Sequence, residues 1–263
     1  MKGFKIFASW EPRAETPQIL GERMLGNLDA LSDVSPFFGD WQLHDLRLDP
    51  LEMDPEEFDE QFFRLDEVRE HMPEIVEHGV RRNDDGEPEP SGGYTIIARN
   101  DDSNPSRYVS LYARGGGIVN PRAGLRFVKF SSSEDTAPDC AIVSYPVFKA
   151  VLKSVVSAWG VRHAQAYSDR LSKLWRQPSK LFLDLAWMTY LSPELAQNFT
   201  PPRDVLVEHV DDGGLLIIAA EETFDTANPK HMAAAQSILK SLAAINAEEE
   251  KLSDRLWPRR RLS

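Results

Sequence analysis

Residues 205–245 read VLVEHVDDGGLLIIAAEETFDTANPKHMAAAQSILKSLAAI, and the rest of the chain is organised around them. Two apolar segments flank a turn built on Asp211, Asp212, Gly213 and Gly214. Glycines supply the positive φ that a tight hairpin turn needs. Residues 215–220 form a continuous apolar run, the pattern of an interior strand. Beyond an acidic loop, Asn228 is a helix cap and Pro229 sits at the first helical position, where a missing N–H costs nothing. Met232, Ala235, Ile238, Leu239, Leu242 and Ile245 then recur at three and four and make one apolar face. That face needs a sheet to cover.

Outward from this segment, the chain supplies the sheet. Residues 5–10 read as an opening strand, and Thr16-Pro17 starts a helix with Leu20, Met24, Leu28 and Leu31 on one face. Phe37, Phe38 and Trp41 beyond it read as satellite core. Asp54-Pro55-Glu56-Glu57 resembles a capping box, with a helix break near Met72 ahead of Pro73. Residues 81–90 read as an exposed loop or hairpin. Three strands follow, at 94–99, 107–113 and 125–130, with connections too short for crossover helices, so they pair as an antiparallel meander. A fourth strand is expected at 139–145. Pro146 then opens the most hydrophobic helix, ended by Gly160. Residues 167–175 read as a shorter amphipathic piece, and 181–191 as an aromatic-rich segment. The expected fold class is α+β, with an antiparallel sheet packed on amphipathic helices. One domain spans 1–250, and a charged, helix-poor basic tail spans 251–263.

A chain of 263 residues buries a core without a metal or disulfide staple. The lone Cys140 excludes an internal disulfide framework and suits a reducing compartment. No run of eighteen apolar residues exists to span a membrane, and the first ten residues are too polar for a signal peptide. A cytoplasmic location is therefore expected. The formal net charge of -12 opposes direct binding of nucleic acid and suits a basic protein partner, although charge alone also serves solubility.

Catalytic signatures fail on inspection. There is no H-E-x-x-H, Walker A or C-x-x-C, and no two histidines stand three or four apart. Ser237 to Lys240 matches S-x-x-K without its companion motifs. Gly115, Gly116 and Gly117 lie between strands and complete no dinucleotide fingerprint. No metal, cofactor or catalytic residue is assigned. Glu221, Glu222 and Asp225 follow a buried strand, where functional loops lie. Glu56, Glu57, Asp59 and Glu60 form a dense acidic block, and Asp84 and Asp85 an acidic loop. These nine are the candidate partner-binding residues.

Three stretches resemble one family. They are SWEPR at 9–13 with the helix and aromatic cluster after it, GVRRNDDG at 79–86 leading to Gly92-Gly93-Tyr94, and DGGLLII at 212–218 with Phe224-Asp225 and Asn228 to His231. Together they resemble the Imm52 bacterial immunity proteins over about residues 5–247. The resemblance implies an α+β protein without catalytic activity. It implies a gene neighbour encoding a polymorphic toxin of restriction-endonuclease-like (Tox-REase-5) type, in some cases a type VI secretion effector. Such a protein binds its sibling toxin, here expected to be a basic nuclease domain, in the producer's cytoplasm. Trp10, Gly93, Gly213, Gly214, Phe224, Asn228 and Pro229 are then structural, family-like residues. Two alternatives stand beside this. One is a metal-dependent hydrolase using the carboxylates at 221–225, with His209 or His231 beside them. The other is a homo-oligomeric scaffold, and a homodimer fits either non-catalytic reading.

Overall fold

The computed structural model describes residues 3–11, 13–46, 61–83, 85–100, 103–117, 127–132, 136–174 and 183–256. The hairpin at its organising segment forms as β9 (Leu206–His209) and β10 (Leu215–Ile218), paired antiparallel. The two glycines of the turn do different jobs. Gly213 takes φ +87, a left-handed conformation that favours glycine. Gly214 is needed for space, because a Cβ there would sit 2.6 Å from the Tyr190 ring and 2.7 Å from the Leu191 carbonyl.

The other strands are β1 (Phe4–Ser9), β2 (Trp41–His44), β3 (Phe62–Arg64), β4 (Tyr94–Asn100), β5 (Val109–Gly115), β6 (Phe127–Ser132), β7 (His163–Ser168) and β8 (Met188–Leu191). Among the described residues they form one ten-stranded sheet, ordered β3-β2-β4-β5-β6-β1-β7-β8-β10-β9, with every neighbouring pair antiparallel. The expected meander is β4-β5-β6. The opening strand β1 lies in the middle of the sheet, between β6 and β7.

Three readings of the sequence are corrected. Residues 139–144 form turns rather than a strand, because Asp139 accepts the Ala141 N–H at 3.0 Å on its own side chain and closes a local turn. The segment expected to be amphipathic from 167 instead completes β7, and only Asp169–Ser172 is helical. β7 is held on both sides, by β1 and by β8, and needs little intrinsic strand preference. The chain is also not helix-poor after Glu250, since a helix runs on to Leu256.

Alternation along the strands sorts the two faces. Ile6, Ala8, Ala98, Leu111 and Ala166 share one buried face. It packs against α1 (Pro17–Val34), α2 (Met72–His78) and α3 (Tyr145–Trp159), forming the larger core. The break expected near Met72 is present: a helical turn at Leu65–Val68 and a 3-10 turn at Arg69–His71 end before it, and α2 starts anew with Pro73 in its first turn. Leu191, Leu215 and Ile217 point to the opposite face, where a second core with Leu183, Leu195 and Phe199 takes in α4 (Pro229–Ser241) and α5 (Ala243–Leu256). The expected single helix breaks at Leu242, yet Ile238, Leu242 and Ile245 still share that core. Asn246 fastens it, donating to the Leu183 carbonyl at 2.8 Å and accepting the Leu183 N–H at 3.0 Å.

The S-W-E-P-R stretch explains itself in packing. Trp10 stacks on Trp159 at 5.2 Å between ring centroids. Arg13 donates to the Trp159 carbonyl and Arg23 to the Ala158 carbonyl, so two arginines cap the C-terminus of α3, where carbonyls lack helical partners. Buried Glu15 lies 3.0 Å from Arg13 and 2.9 Å from Arg23.

Candidate functional site

The loop leaving β10 is held from several directions. Trp187 donates its indole N–H to the Ala220 carbonyl at 2.9 Å. Phe224 is buried and rests on the His231 ring, and Thr223 donates to the Val143 carbonyl at 3.1 Å. Asn228 caps α4 by accepting the Lys230 N–H at 3.0 Å, with Pro229 at the first turn.

His231 is the centre of this loop. Its Nδ1 accepts the Asp225 N–H at 3.1 Å, so that nitrogen carries the lone pair. Its Nε2 lies 2.8 Å from a Glu222 carboxylate oxygen and donates to it. The His231 side chain is 7% exposed and the Glu222 side chain 72%, so a buried ring fixes an outward carboxylate. Glu221, Glu222, Lys230, His231 and Asp204 line a groove of about 400 Å³. Asp225 is exposed at its end. Both ring nitrogens of His231 are occupied, which leaves neither as a base or a metal ligand in this arrangement. His209 pairs with Leu215 at the far end of the β9–β10 hairpin, roughly 13 Å of strand from the loop. Among the described residues, no group of three His, Cys, Asp or Glu side chains is placed to hold a metal.

The second acidic surface is the hairpin at 79–93. Arg81 N–H donates to Gly93 O at 2.9 Å, Glu89 N–H to Arg81 O, and Thr95 N–H to Gly79 O at 2.8 Å, extending the sheet beyond β4. Asn83 accepts from the N–H groups of Asp85 and Glu87, at 3.0 and 2.9 Å, and shapes the tip. Asp85 and Glu87 are exposed on it. Gly93 has φ +90, and a Cβ there would lie 2.4 Å from the Gly115 carbonyl.

The sequence could not show how far apart these surfaces are. The hairpin enters the start of β4, and the groove follows the end of β10, six strands away in an alternating sheet. They therefore lie at opposite ends of the strands and roughly 29 Å apart across them. Glu56, Glu57, Asp59, Glu60 and Asp84 lie outside the described residues, as does the capping box at 54–57.

Charged residues outside the nine candidate partner-binding positions also emerge. Arg162, at the start of β7, donates to Glu11 at 3.0 Å, Glu194 at 2.7 Å and Glu249 at 2.7 Å, tying β1 and α5 together. Arg81 and Arg114 project from the sheet face opposite α1. Arg114 ends the alternating run of β5 on its polar face, and that position was the one signal available in the sequence.

The mixed sheet-and-helix body thus presents, on the loop leaving β10, a carboxylate of Glu222 held outward by the buried His231 ring. The chain belongs to the family described as immunity protein 52 (Imm52), whose family model matches residues 4–247. Membership implies an immunity role exercised by binding a cognate toxin. The chain is also similar in structure to the Pseudomonas aeruginosa T6SS protein PA0821, with 13% identity, 90% of this chain and 72% of that chain covered, and a TM-score of 0.47. None of the curated proteins matches it. Within the family-like stretches, Trp10, Gly93, Gly213, Gly214, Phe224, Asn228 and Pro229 all have packing, turn or capping contacts.

Proposed function

We propose that this protein neutralises a nuclease-type toxin, a type VI secretion effector, in the cytoplasm of the cell that produces both, by setting carboxylates against the toxin's nucleic-acid-binding surface. What carries the reading is membership of Imm52 across residues 4–247. The net charge of -12 supports it, since a surface made to hold phosphates is basic and opposite potentials speed encounter. A groove of exposed Glu221 and Glu222, with Asp225 beside it, offers the acidic counterpart, as does Asp85 on the hairpin.

A standard interface buries about 800 Å² on each partner, a patch roughly 32 Å across, so one toxin domain of ordinary footprint centres on one acidic edge and not on both. Amide substitutions made edge by edge test this. The sets are Glu221→Gln with Glu222→Gln and Asp225→Asn, then Asp84→Asn with Asp85→Asn, then Glu56→Gln, Glu57→Gln, Asp59→Asn and Glu60→Gln. At the contacting edge, affinity for the toxin is expected to fall about tenfold and its salt dependence to flatten. Co-expression with the toxin, scored for complex formation and growth, reads the biological side. Affinity and salt dependence unchanged in all three sets would remove the carboxylate mechanism. Failure of the wild-type protein to bind or protect would remove the toxin reading itself.

A further inference from the structure

Arg81 and Arg114 are neighbours, and among the described residues no carboxylate lies within ion-pair distance of either, not even Glu89, which stands opposite Arg81 in the hairpin. Arg114 faces Thr95 across the β4–β5 pair, and Thr95 in turn faces Gly79. Arg81 lies one step further along, opposite Gly93. The floor between the two side chains is therefore Gly79, Gly93 and Thr95, with Gly92 packed under the Arg81 stem. Both arginines are half-buried. Each keeps one buried nitrogen, Nη1 of Arg81 and Nε of Arg114, without a hydrogen-bond partner. Burial, reinforced by the charge of Arg81 and opposed by Tyr112, holds the Arg114 guanidinium below its usual range, although an arginine stays charged at neutral pH.

Other half-buried arginines are answered, Arg99 by the Gln42 side-chain oxygen and the rest by carboxylates, whereas Arg82, Arg170 and Arg203, which have no such carboxylate among the described residues, are exposed. Arg13, Arg23, Arg64, Arg69, Arg107 and Arg162 all lie within ion-pair distance of a carboxylate. Among the described residues no carboxylate does this for Arg81 or Arg114, in a protein with 42 acidic and 30 basic side chains. Two like charges set together in a partly desolvated site work against folding, and such local violations are expected where a site serves binding.

We propose that Arg81 and Arg114 form a docking site for a carboxylate side chain presented by the cognate toxin, which places the contact at the hairpin edge of the sheet. The inference rests on the toxin-binding reading and says which edge is used. The guanidinium fork matches a carboxylate in two parallel hydrogen bonds. A nucleic acid strand is disfavoured, since a protein of charge -12 repels a polyanion. A basic toxin is drawn in by that same charge, and one acidic side chain at the arginine pair then sets the register.

The test titrates the toxin domain into wild-type protein, Arg81→Gln, Arg114→Gln and the double variant by calorimetry, with a thermal melt of each. The double variant is expected to bind at least about thirtyfold more weakly, with a melting temperature unchanged or raised, because the lost charges have no carboxylate at ion-pair distance among the described residues. Substitution of Glu221, Glu222 and Asp225 by amides is expected to change affinity less than about threefold. Double-variant affinity within about twofold of wild type overturns the arginine site while the toxin reading stands. Weak binding accompanied by a lowered melting temperature assigns the pair a structural role and overturns the site as well. No complex with the wild-type protein ends both readings.

Discussion

Trp159→Ala is expected to lower the stability of this protein by about 4–6 kcal/mol, or roughly 10–20 °C in melting temperature. Trp159 is fully buried at the last turn of α3 and stacks on Trp10. Truncating a buried tryptophan costs about 3–5 kcal/mol through lost burial and a residual cavity. A further term comes from Asn27, itself fully buried on α1, whose side-chain oxygen accepts the Trp159 indole N–H at 2.9 Å. Asn27 also donates to Ser154 at 2.9 Å, so it cannot turn to water when the tryptophan goes. Losing that acceptor's partner adds about 1–2 kcal/mol. Trp159→Phe keeps much of the stack and removes only the N–H, so it is expected to cost about 1–2 kcal/mol. Circular dichroism melts of the two variants check both values. A fall of only a few degrees for the alanine variant would show that the α1–α3 contact is not a main support of the fold.

The same junction illustrates what the sequence could reveal. The helix starts at Thr16-Pro17 and Asn228-Pro229 were legible because capping is local: a side-chain oxygen meets an N–H two or three residues on. The β4-β5-β6 meander was legible because short turns leave one way to pair. β7 was not, because His163, Ala164, Gln165 and Ala166 carry no β-branched residue and become a strand only between β1 and β8. The role of Arg13 was equally hidden, since it caps a helix that begins 132 residues later in the chain, at Tyr145. For the candidate site, composition announced an acidic protein but not where its acids lie. Strand order alone separates Asp85 from Glu222, and strand order comes from long-range pairing. The occupied state of His231 likewise depends on the loop folding Asp225 back over the helix start.

Between pH 7 and pH 5, His163 is expected to cost the protein about 2 kcal/mol of stability, rising to about 3 kcal/mol near pH 4. His163 opens β7 and is buried, with Nε2 2.9 Å from the Ser9 hydroxyl. Burial first, and the neighbouring Arg162 charge second, push its pKa down from 6.5 to about 4. The folded protein therefore keeps the ring neutral where the unfolded chain protonates it. Its stability contribution is fully present above the unfolded value of 6.5, declines as pH falls, and stops declining near 4. Other groups act lower on the scale and with mixed sign. Hydrogen bonds from Lys149 to Glu208, and from the Ala141 N–H to Asp139, lower those carboxyls, so their contributions fade only as the carboxylates protonate. Burial raises the carboxyl of Asp184, which works the opposite way, favouring the fold as pH falls. The window from pH 7 to 5 lies above those carboxyls, and comparison with a variant that keeps every other histidine isolates His163. His163→Gln, which keeps a polar partner for Ser9, is expected to lose less melting temperature across that window than the wild type, by about 4–8 °C. Parallel curves for the two proteins would mean that His163 takes up its proton in the folded state at ordinary pH. The site matters because Ser9 and His163 face each other where β1 meets β7, beside the Arg162 cluster that holds α5. A charge forced into that position would loosen the centre of the sheet rather than its edge.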